Sequence, residues 1–438
     1  MSAADRTMGL GLRALGRFAG SPLVDRLGIR KPAEGVVYRA SRDGFRAVGA
    51  AGRTFKQVQG GGRKPTRLKP SGSGLFDLTP TDEQQMLGEA FSSFGAEQLR
   101  PAALKADAAA QAPTELLAAA SELGLTMLGV PEELGGAVSE RSAVTTVLAA
   151  EALAHGDMGL AAAALAPAGV ATALSLWGDA EQQATFLPPL LGEELAVAAL
   201  AVHEPRPLFD PFELHTTARI DGADYVLSGV KSFVPRANEA DLLVVAARIA
   251  GHGPGLFLVE TTREGVLAKP SPGMGVRAAA FGEVLLNDVR VPAGALLGDG
   301  SPAVYAEAVR RARLAWCALA IGTAQAVLDY VIPYVNERVA FGEPISHRQS
   351  VAFAVSNIAI ELEGMRLTTL RAAARADADT DFAREAALAR HLCGEKGSWI
   401  GSEGVQLLGG HGYIKEHPVE RWYRDLRAVG VVEGALLV

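Results

Sequence analysis

The spacing of apolar residues changes twice along the chain, and the two changes divide it into blocks. From about Leu75 apolar positions recur at three and four, so EQQMLGEAFSSFGAEQL, TELLAAASELGL and SAVTTVLAAEALAHGD predict helices, with the loop VPEELGG and its Gly135-Gly136 pair between them. The uncharged run 158–178, MGLAAAALAPAGVATALSLWG, has the length of a membrane span. Alanine contributes little transfer energy, however, and Pro167 with three glycines interrupts the run, which predicts two short buried helices. Around Leu200 the period drops to two. TTARIDGADYVLSGVKSFV, broken by turn signals at Asp221-Gly222 and Ser228-Gly229, is followed by LLVVAAR, GLFLVE and FGEVLLNDVRVP, and together they predict a compact antiparallel β region over about 197–295. Longer helical patterns then return in LAWCALAIGTAQAVLDYVIPYVNERVAFG, SVAFAVSNIAIELEGMRLTTLRAAARA and DFAREAALARHLCGEKGSWIGSEGVQLLGG. Each carries an apolar stripe wide enough for bundle packing.

This order predicts an α+β chain: a basic extension over 1–75, a helical domain over 76–196, a β domain over 197–300 and a helical bundle over 301–438. No βαβ alternation, GxGxxG or GxxxxGK[ST] occurs, which argues against nucleotide binding by those two routes. With 438 residues, 49% of them hydrophobic, the chain can bury a full core. The only cysteines, Cys317 and Cys393, sit in apolar helical runs, so a disulfide framework is not expected and a reducing, cytoplasmic compartment fits. The eight histidines are scattered without ligand spacing, and no metal is assigned.

The net charge of −7 conceals an asymmetry: residues 1–70 carry 15 Lys and Arg against four Asp and Glu, leaving 27 against 45 for the remainder. An acidic main body disfavours nucleic acid as a partner. In the basic piece, Leu12, Leu15 and Phe18 would lie opposite Arg13 and Arg17 on a helix, and Arg39, Arg42 and Arg46 would share one side. Three readings stay open for it: a patch lying on an anionic membrane surface or acidic partner, a solvated extension, or an organelle-targeting peptide.

The closing stretch, Val405–Val438, holds the most chemistry. It passes from a glutamine and a Gly-Gly pair through a charged block to Glu433-Gly434, flanked by Val431, Val432, Leu436 and Leu437. A carboxylate in that company is costly to keep ionised. Taken alone, Glu433 is either a working carboxylate or one solvated near a chain end or paired with Arg424 or Arg427.

Several stretches in order resemble the acyl-CoA dehydrogenase family: PEELGG at 131–136, GDAEQQATFLPPLLGEELAVAALAVHEP at 178–205, DGADYVLSGVKSF and FGEVLLNDVRVPAGALLG, ERVAFGEPISHRQSVAF at 337–353, and VQLLGGHGYIKEHPVERWYRD at 405–425. The resemblance covers 76–438 and leaves out the basic extension. It implies a flavoenzyme of helical, β and helical domains acting in fatty acid metabolism, in which FAD takes the β hydride and a glutamate takes the α proton of an acyl-CoA thioester. Glu433 matches that base, with its backbone N–H and the flavin ribityl chain holding the carbonyl. FAD in the family lies between subunits. Arg338, Phe341 and Gln349, then Gln406, Gly409 and Gly410, match positions that grip it, while Val202, His203, Phe233 and Pro235 match the flavin side. Phe209, Arg313 and Gly434 match the substrate side. For Arg338 and Arg313 the bland alternative is a helix-surface ion pair. The implied partners are acyl-CoA, an electron-transferring flavoprotein, and further subunits in a homo-oligomer (dimer or tetramer) or in a hetero-oligomer with a related chain.

The departures from the family pattern are specific. Where Thr-Glu-Pro and a small Gly-Ser-Asp loop are usual, this chain reads His203-Glu204-Pro205 and then Arg206-Pro207-Leu208-Phe209-Asp210. Trp-Ile-Thr becomes Phe233-Val234-Pro235, and Pro235 has neither hydroxyl nor N–H to offer flavin N5. Arg310 replaces a substrate-contacting aspartate, Ala435 replaces a threonine, and the helix expected after Glu433 is missing from the pattern. The pattern fits an active dehydrogenase with a divergent pocket, or a half-competent subunit that serves a related chain.

Overall fold

The computed structural model describes residues 80–138, 141–192 and 196–436; the basic extension, with the membrane and targeting readings attached to it, lies outside them. The first helical block runs α1 Asp82–Phe94, a π-helical turn to Leu99, α2 Arg100–Ala109, α3 Thr114–Glu122, α4 Ala143–Gly156, α5 Met158–Trp177 and α6 Ala180–Leu191. Local sequence starts these helices. The Thr81 hydroxyl accepts from Gln84 N and the Gln84 side-chain oxygen accepts in return from Thr81 N, a reciprocal cap on α1. The Asp157 carboxylate does the same service for α5 through Leu160 N at 3.0 Å.

The expectation of two short helices over 158–178 is corrected by α5, one continuous helix with Pro167 inside it. Proline removes one backbone hydrogen bond and crowds the preceding turn. Here Pro167 is buried within a helix whose alanine-rich faces are almost wholly covered, and tertiary packing outweighs that local cost. Among the described residues, two helices are long and apolar enough to cross a membrane, Met158–Trp177 and Pro302–Glu337, and both are mostly buried inside the protein.

The sheet comprises β1 Ala198–Ala201, β2 Thr217–Asp221, β3 Asp224–Val234, β4 Leu242–Ile249, β5 Gly253–Glu260, β6 Val266–Pro270 and β7 Gly282–Pro292. It is mixed, which corrects the antiparallel expectation. β2–β3, β3–β7, β4–β5 and β6–β7 pair antiparallel, but β1 and β2 both pair parallel to β4. β1 occupies Leu242–Val245 and β2 occupies Arg248–Ile249 of that strand. Alternation reports that a strand exists and which face it buries; it carries no information on the direction of its neighbour. The consequence for the site is topological: residues 202–216 leave the sheet between two strands seated end to end on β4.

The second helical block is α7 Pro302–Glu337, the short hairpin β8 Val339–Ala340 and β9 Glu343–Pro344, α8 Gln349–Asp377, α9 Ala383–Leu408 and α10 Val419–Asp425. α7 starts earlier than its apolar stripe suggests, so Arg313 sits well inside the helix and not at its beginning. The helix also stops before Arg338, because Phe341 (φ 55°) and Gly342 (φ 85°) form the left-handed two-residue turn of a hairpin. α7 packs against α4, α8 and α9. At Gly322 the approach to α4 is so close that a β-carbon would fall 2.0 Å from Glu151 O. One large core joins both helical blocks, and two smaller ones lie on either side of the sheet.

Candidate functional site

The 202–216 excursion is held by a buried ion pair that the sequence reading did not single out. Lys231, on β3 and fully buried, donates to Glu204 Oε1 at 3.0 Å and to Val202 O at 3.1 Å. The other end of the excursion reaches the same carboxylate, through His215 N to Oε2 and Thr216 N to Oε1, both at 2.8 Å. Burial pushes the Glu204 carboxyl up, but the Lys231 cation and the two backbone N–H groups outweigh it and hold it below its ordinary value. Burial lowers Lys231 to about 8 despite Glu204, so the pair is ionised at neutral pH.

That anchored loop presents His203 and Phe209. His203 Nδ1 meets Ser232 Oγ at 2.9 Å, and its ring contacts Phe209 (centroids 4.7 Å apart) and Phe233 (4.8 Å). Burial, with the Lys231 cation, lowers His203 to about 4, leaving a neutral imidazole among aromatic rings. Phe233 takes φ 51° at the end of β3, and half-buried Pro235 follows two residues later. Phe209 O accepts from Ala435 N at 2.9 Å, which joins the loop to the closing segment.

Glu433 lies at that junction. It is buried, at φ 60°, and its Oε2 has no hydrogen-bond partner among the described residues. Burial raises its carboxyl to about 7, against the pull of Arg390, Arg313 and Lys231. Arg313 Nε donates to Glu433 O at 3.0 Å. Arg390 of α9 donates from Nη2 to Val432 O and, at 2.6 Å, to Gly434 O. Gly434 stands at φ 109°, and a β-carbon there would fall 2.7 Å from Arg313 Nη2 and 2.8 Å from Pro211 Cδ. The solvated or surface-paired alternative for Glu433 is corrected: Arg424 engages Asp107 and Glu420, and Arg427 engages Tyr423 O and Ser402.

The candidate residues therefore fall into two groups. Glu433, Gly434, Arg313, Phe209, His203, Val202 and Phe233 come together around the closing segment. Arg338, Phe341, Gln406, Gly409 and Gly410 line a separate open cavity of about 970 Å³, whose wall also includes Arg348 and Ser350. Gln349 between them is exposed at the start of α8 and is not part of that wall. Arg338 is exposed and makes no ion pair among the described residues, so the surface-pair alternative does not describe it. A third feature is a smaller apolar cavity of about 150 Å³ between α4, α5 and α7. It is lined by Leu165, Ala168 and Thr172 of α5 and by Ala312, Leu314 and Ala315 on either side of Arg313.

Sequence reasoning missed Lys231, Glu204 as its partner, and Arg390. A signal existed for two of them. Lys231 interrupts the apolar run of a central strand, and Arg390 falls on the same helical stripe as Ala386, Ala389 and Cys393. A cation on a buried face requires a specific partner.

Comparison with known proteins bears on the fold and the family of the chain. The chain matches the models for the acyl-CoA dehydrogenase N-terminal domain over residues 81–194, middle domain over 199–289 and C-terminal domain over 298–436. It is 33% identical over 367 residues to the probable acyl-CoA dehydrogenase YngJ of Bacillus subtilis (strain 168), covering 82% of this chain and 96% of the relative. Among solved structures it is similar to butyryl-CoA dehydrogenase from Megasphaera elsdenii, with a TM-score of 0.77, 28% identity, and 83% and 97% of the two chains covered. It is also similar to a glutaryl-CoA dehydrogenase from Mycobacterium smegmatis in complex with FADH2, with a TM-score of 0.75, 25% identity, and 82% and 92% covered. On the matched domains, the shared fold and the extent of the identity, this chain belongs to the acyl-CoA dehydrogenase family.

Proposed function

We propose that this protein uses FAD to remove hydrogens from the α and β carbons of an acyl-CoA thioester, with Glu433 as the base for the α proton. The observation that carries the reading is the buried Glu433 carboxylate, whose Oε2 is free of partners and whose carboxyl is raised to about 7. Thioester α protons are weakly acidic. A base stripped of water and tuned near the working pH is what such an abstraction requires. The Glu433 N–H donates to no other group among the described residues and is free to hold the thioester carbonyl, stabilising the charge that develops there.

The residues of the large cavity fit FAD. Arg338 offers an unpaired guanidinium for pyrophosphate oxygens, and β-carbons built on Gly409 and Gly410 would meet nothing within 4 Å, so their bare backbone faces open volume. When bound, FAD supplies the hydride acceptor. Pro235 has no N–H or hydroxyl to donate to it, and His203 and Phe233 supply ring surface in that neighbourhood. The acyl tail is assigned to the cavity between α4, α5 and α7. A void of that size takes a benzene-sized group, which suits a tail of about six carbons or a single ring.

A second copy of the chain would complete the cofactor cavity. Phe341 is 96% exposed, and Phe353, Ile360 and Leu367 recur at seven-residue spacing along α8 with 58%, 67% and 40% of their surface exposed, an apolar stripe that suits a subunit contact. Electrons then pass to an electron-transferring flavoprotein. Pro235 and the packed aromatic rings favour the second reading, a half-competent subunit serving a related chain. Flavin content separates the two. Purified protein with about one FAD per subunit supports the enzyme, and colourless protein that takes up no added FAD sinks it. In flavin-loaded protein, Glu433→Gln should abolish dye reduction by acyl-CoA while FAD stays bound; retained activity removes Glu433 from the mechanism.

A further inference from the structure

Three consecutive carbonyl oxygens, those of Val432, Glu433 and Gly434, are each taken by a guanidinium. Arg313 holds the middle one from α7, and Arg390 bridges the outer two from α9. The backbone they hold is unusual: Glu433 stands at φ 60° and Gly434 at φ 109°, and left-handed backbone is costly for a residue with a β-carbon. The Val432 carbonyl belongs to the peptide before Glu433 and the Gly434 carbonyl to the second peptide after it, so one guanidinium nitrogen, Nη2, pins the backbone on both sides of Glu433 and, with Arg313 on the Glu433 carbonyl between them, fixes the direction of its side chain.

Arg390 is buried, and its Nε and Nη1 find no acceptor among the described residues. It nevertheless forms no ion pair with the Glu433 carboxylate, whose Oε2 is also unpartnered. Bonding backbone carbonyls in preference to the neighbouring carboxylate leaves the proton-accepting oxygen open. We propose that Arg390 is a positioning residue, which clamps the carbonyls of Val432 and Gly434 to aim Glu433 and supplies an unpaired positive charge beside it. This inference rests on Glu433 being the base. The other groups acting on Glu433 and its clamp are Arg313 and Tyr305 on α7, Lys231 on β3 with its partner Glu204, and Asp210 and His203 from the excursion. Cys317 and Cys393 flank the guanidinium itself.

The test compares Arg390→Met and Arg390→Lys with the parent protein for FAD content, KM, kcat and the pH dependence of kcat/KM in acyl-CoA dye reduction. Misaiming the base by about 1 Å is expected to lower kcat by about 100-fold in Arg390→Met, with KM little changed. Loss of the cation moves the acid limb to higher pH. Arg390→Lys keeps the charge but not the planar guanidinium that sets Nη2 between the two carbonyls, so the acid limb should return to its parental position while kcat stays lowered by about tenfold. If Arg390→Met does not fold or bind FAD, Arg390→Lys decides alone: a parental kcat there overturns the clamp. A rise in KM with kcat intact in either variant also overturns it, since it would mean substrate binding. Glu433→Gln is measured beside them. Activity retained by Glu433→Gln removes the base and this inference together, whereas a dead Glu433→Gln beside fully active Arg390 variants removes this inference only.

Discussion

Glu433→Gln also tests the energetic cost of the site. The substitution keeps the shape of the side chain and removes its titration. In the folded protein burial raises the carboxyl from 4.5 to about 7, even though Arg390, Arg313 and Lys231 pull it down. Between those values the native chain holds a proton that the unfolded chain has released, so stability falls as pH rises. The contribution of this group is therefore full below about pH 4.5, is lost progressively up to about pH 7, and is then constant. At about 1.4 kcal/mol for each pH unit of displacement, the native state gives up about 3 kcal/mol across that window. Glutamine gives up none. Urea unfolding of the two proteins at pH 5 and pH 8 should show the variant gaining about 3 kcal/mol on the parent between the two conditions, and standing as the more stable protein at pH 8. Such a gain, with activity gone, is the signature of a carboxylate kept for chemistry at the expense of stability. A difference that does not change with pH, or one that moves in favour of the parent as pH rises, would mean that a partner satisfies the ionised carboxylate and that the base is not desolvated.

Three further outcomes are expected. Lys231→Met strands the Glu204 carboxylate in the interior and should cost about 3–5 kcal/mol in chemical denaturation, and adding Glu204→Gln should recover more than half of it; equal losses in the single and double variants would show that the pair does not act as a unit. Gly434→Ala forces a β-carbon against Arg313 and Pro211 at a positive φ, with an expected loss of about 1–3 kcal/mol in stability and a fall in dye reduction; a fully active, equally stable Gly434→Ala would refute the close packing of the closing segment. Arg338→Ala should leave stability within about 0.5 kcal/mol, because Arg338 is exposed and forms no ion pair among the described residues, but should lower the FAD retained after gel filtration; unchanged flavin content would detach the large cavity from the cofactor.

The parts of this protein that could be read in advance are those set by local repetition. The three-and-four spacing located the helices of both blocks, and alternation located the strands, because each reports which face of an element meets the core. Pro167 misled the reading of α5 because the cost of a buried proline is settled by neighbours distant in sequence. The parallel pairing of β1 and β2 with β4 was hidden for the same reason, since strand direction belongs to the sheet and not to any strand. Glu433 was conspicuous as a carboxylate among valines and leucines. The charged groups around it were not, because Arg390 and Lys231 are 43 and 202 residues away in the chain and meet it only through the packing of α9 and β3.

The seating of β1 and β2 end to end on β4 bears on how this protein could change over generations. Each strand is registered independently by β4, and both ends of the 202–216 excursion are tied to the Lys231–Glu204 pair. Substitutions between those ties alter what faces the closing segment without altering the register of the sheet. Bulky residues such as Leu208 and Phe209 can thus accumulate where small ones are usual in the family, and new acyl groups can be sampled from a scaffold that does not have to be refolded for each trial.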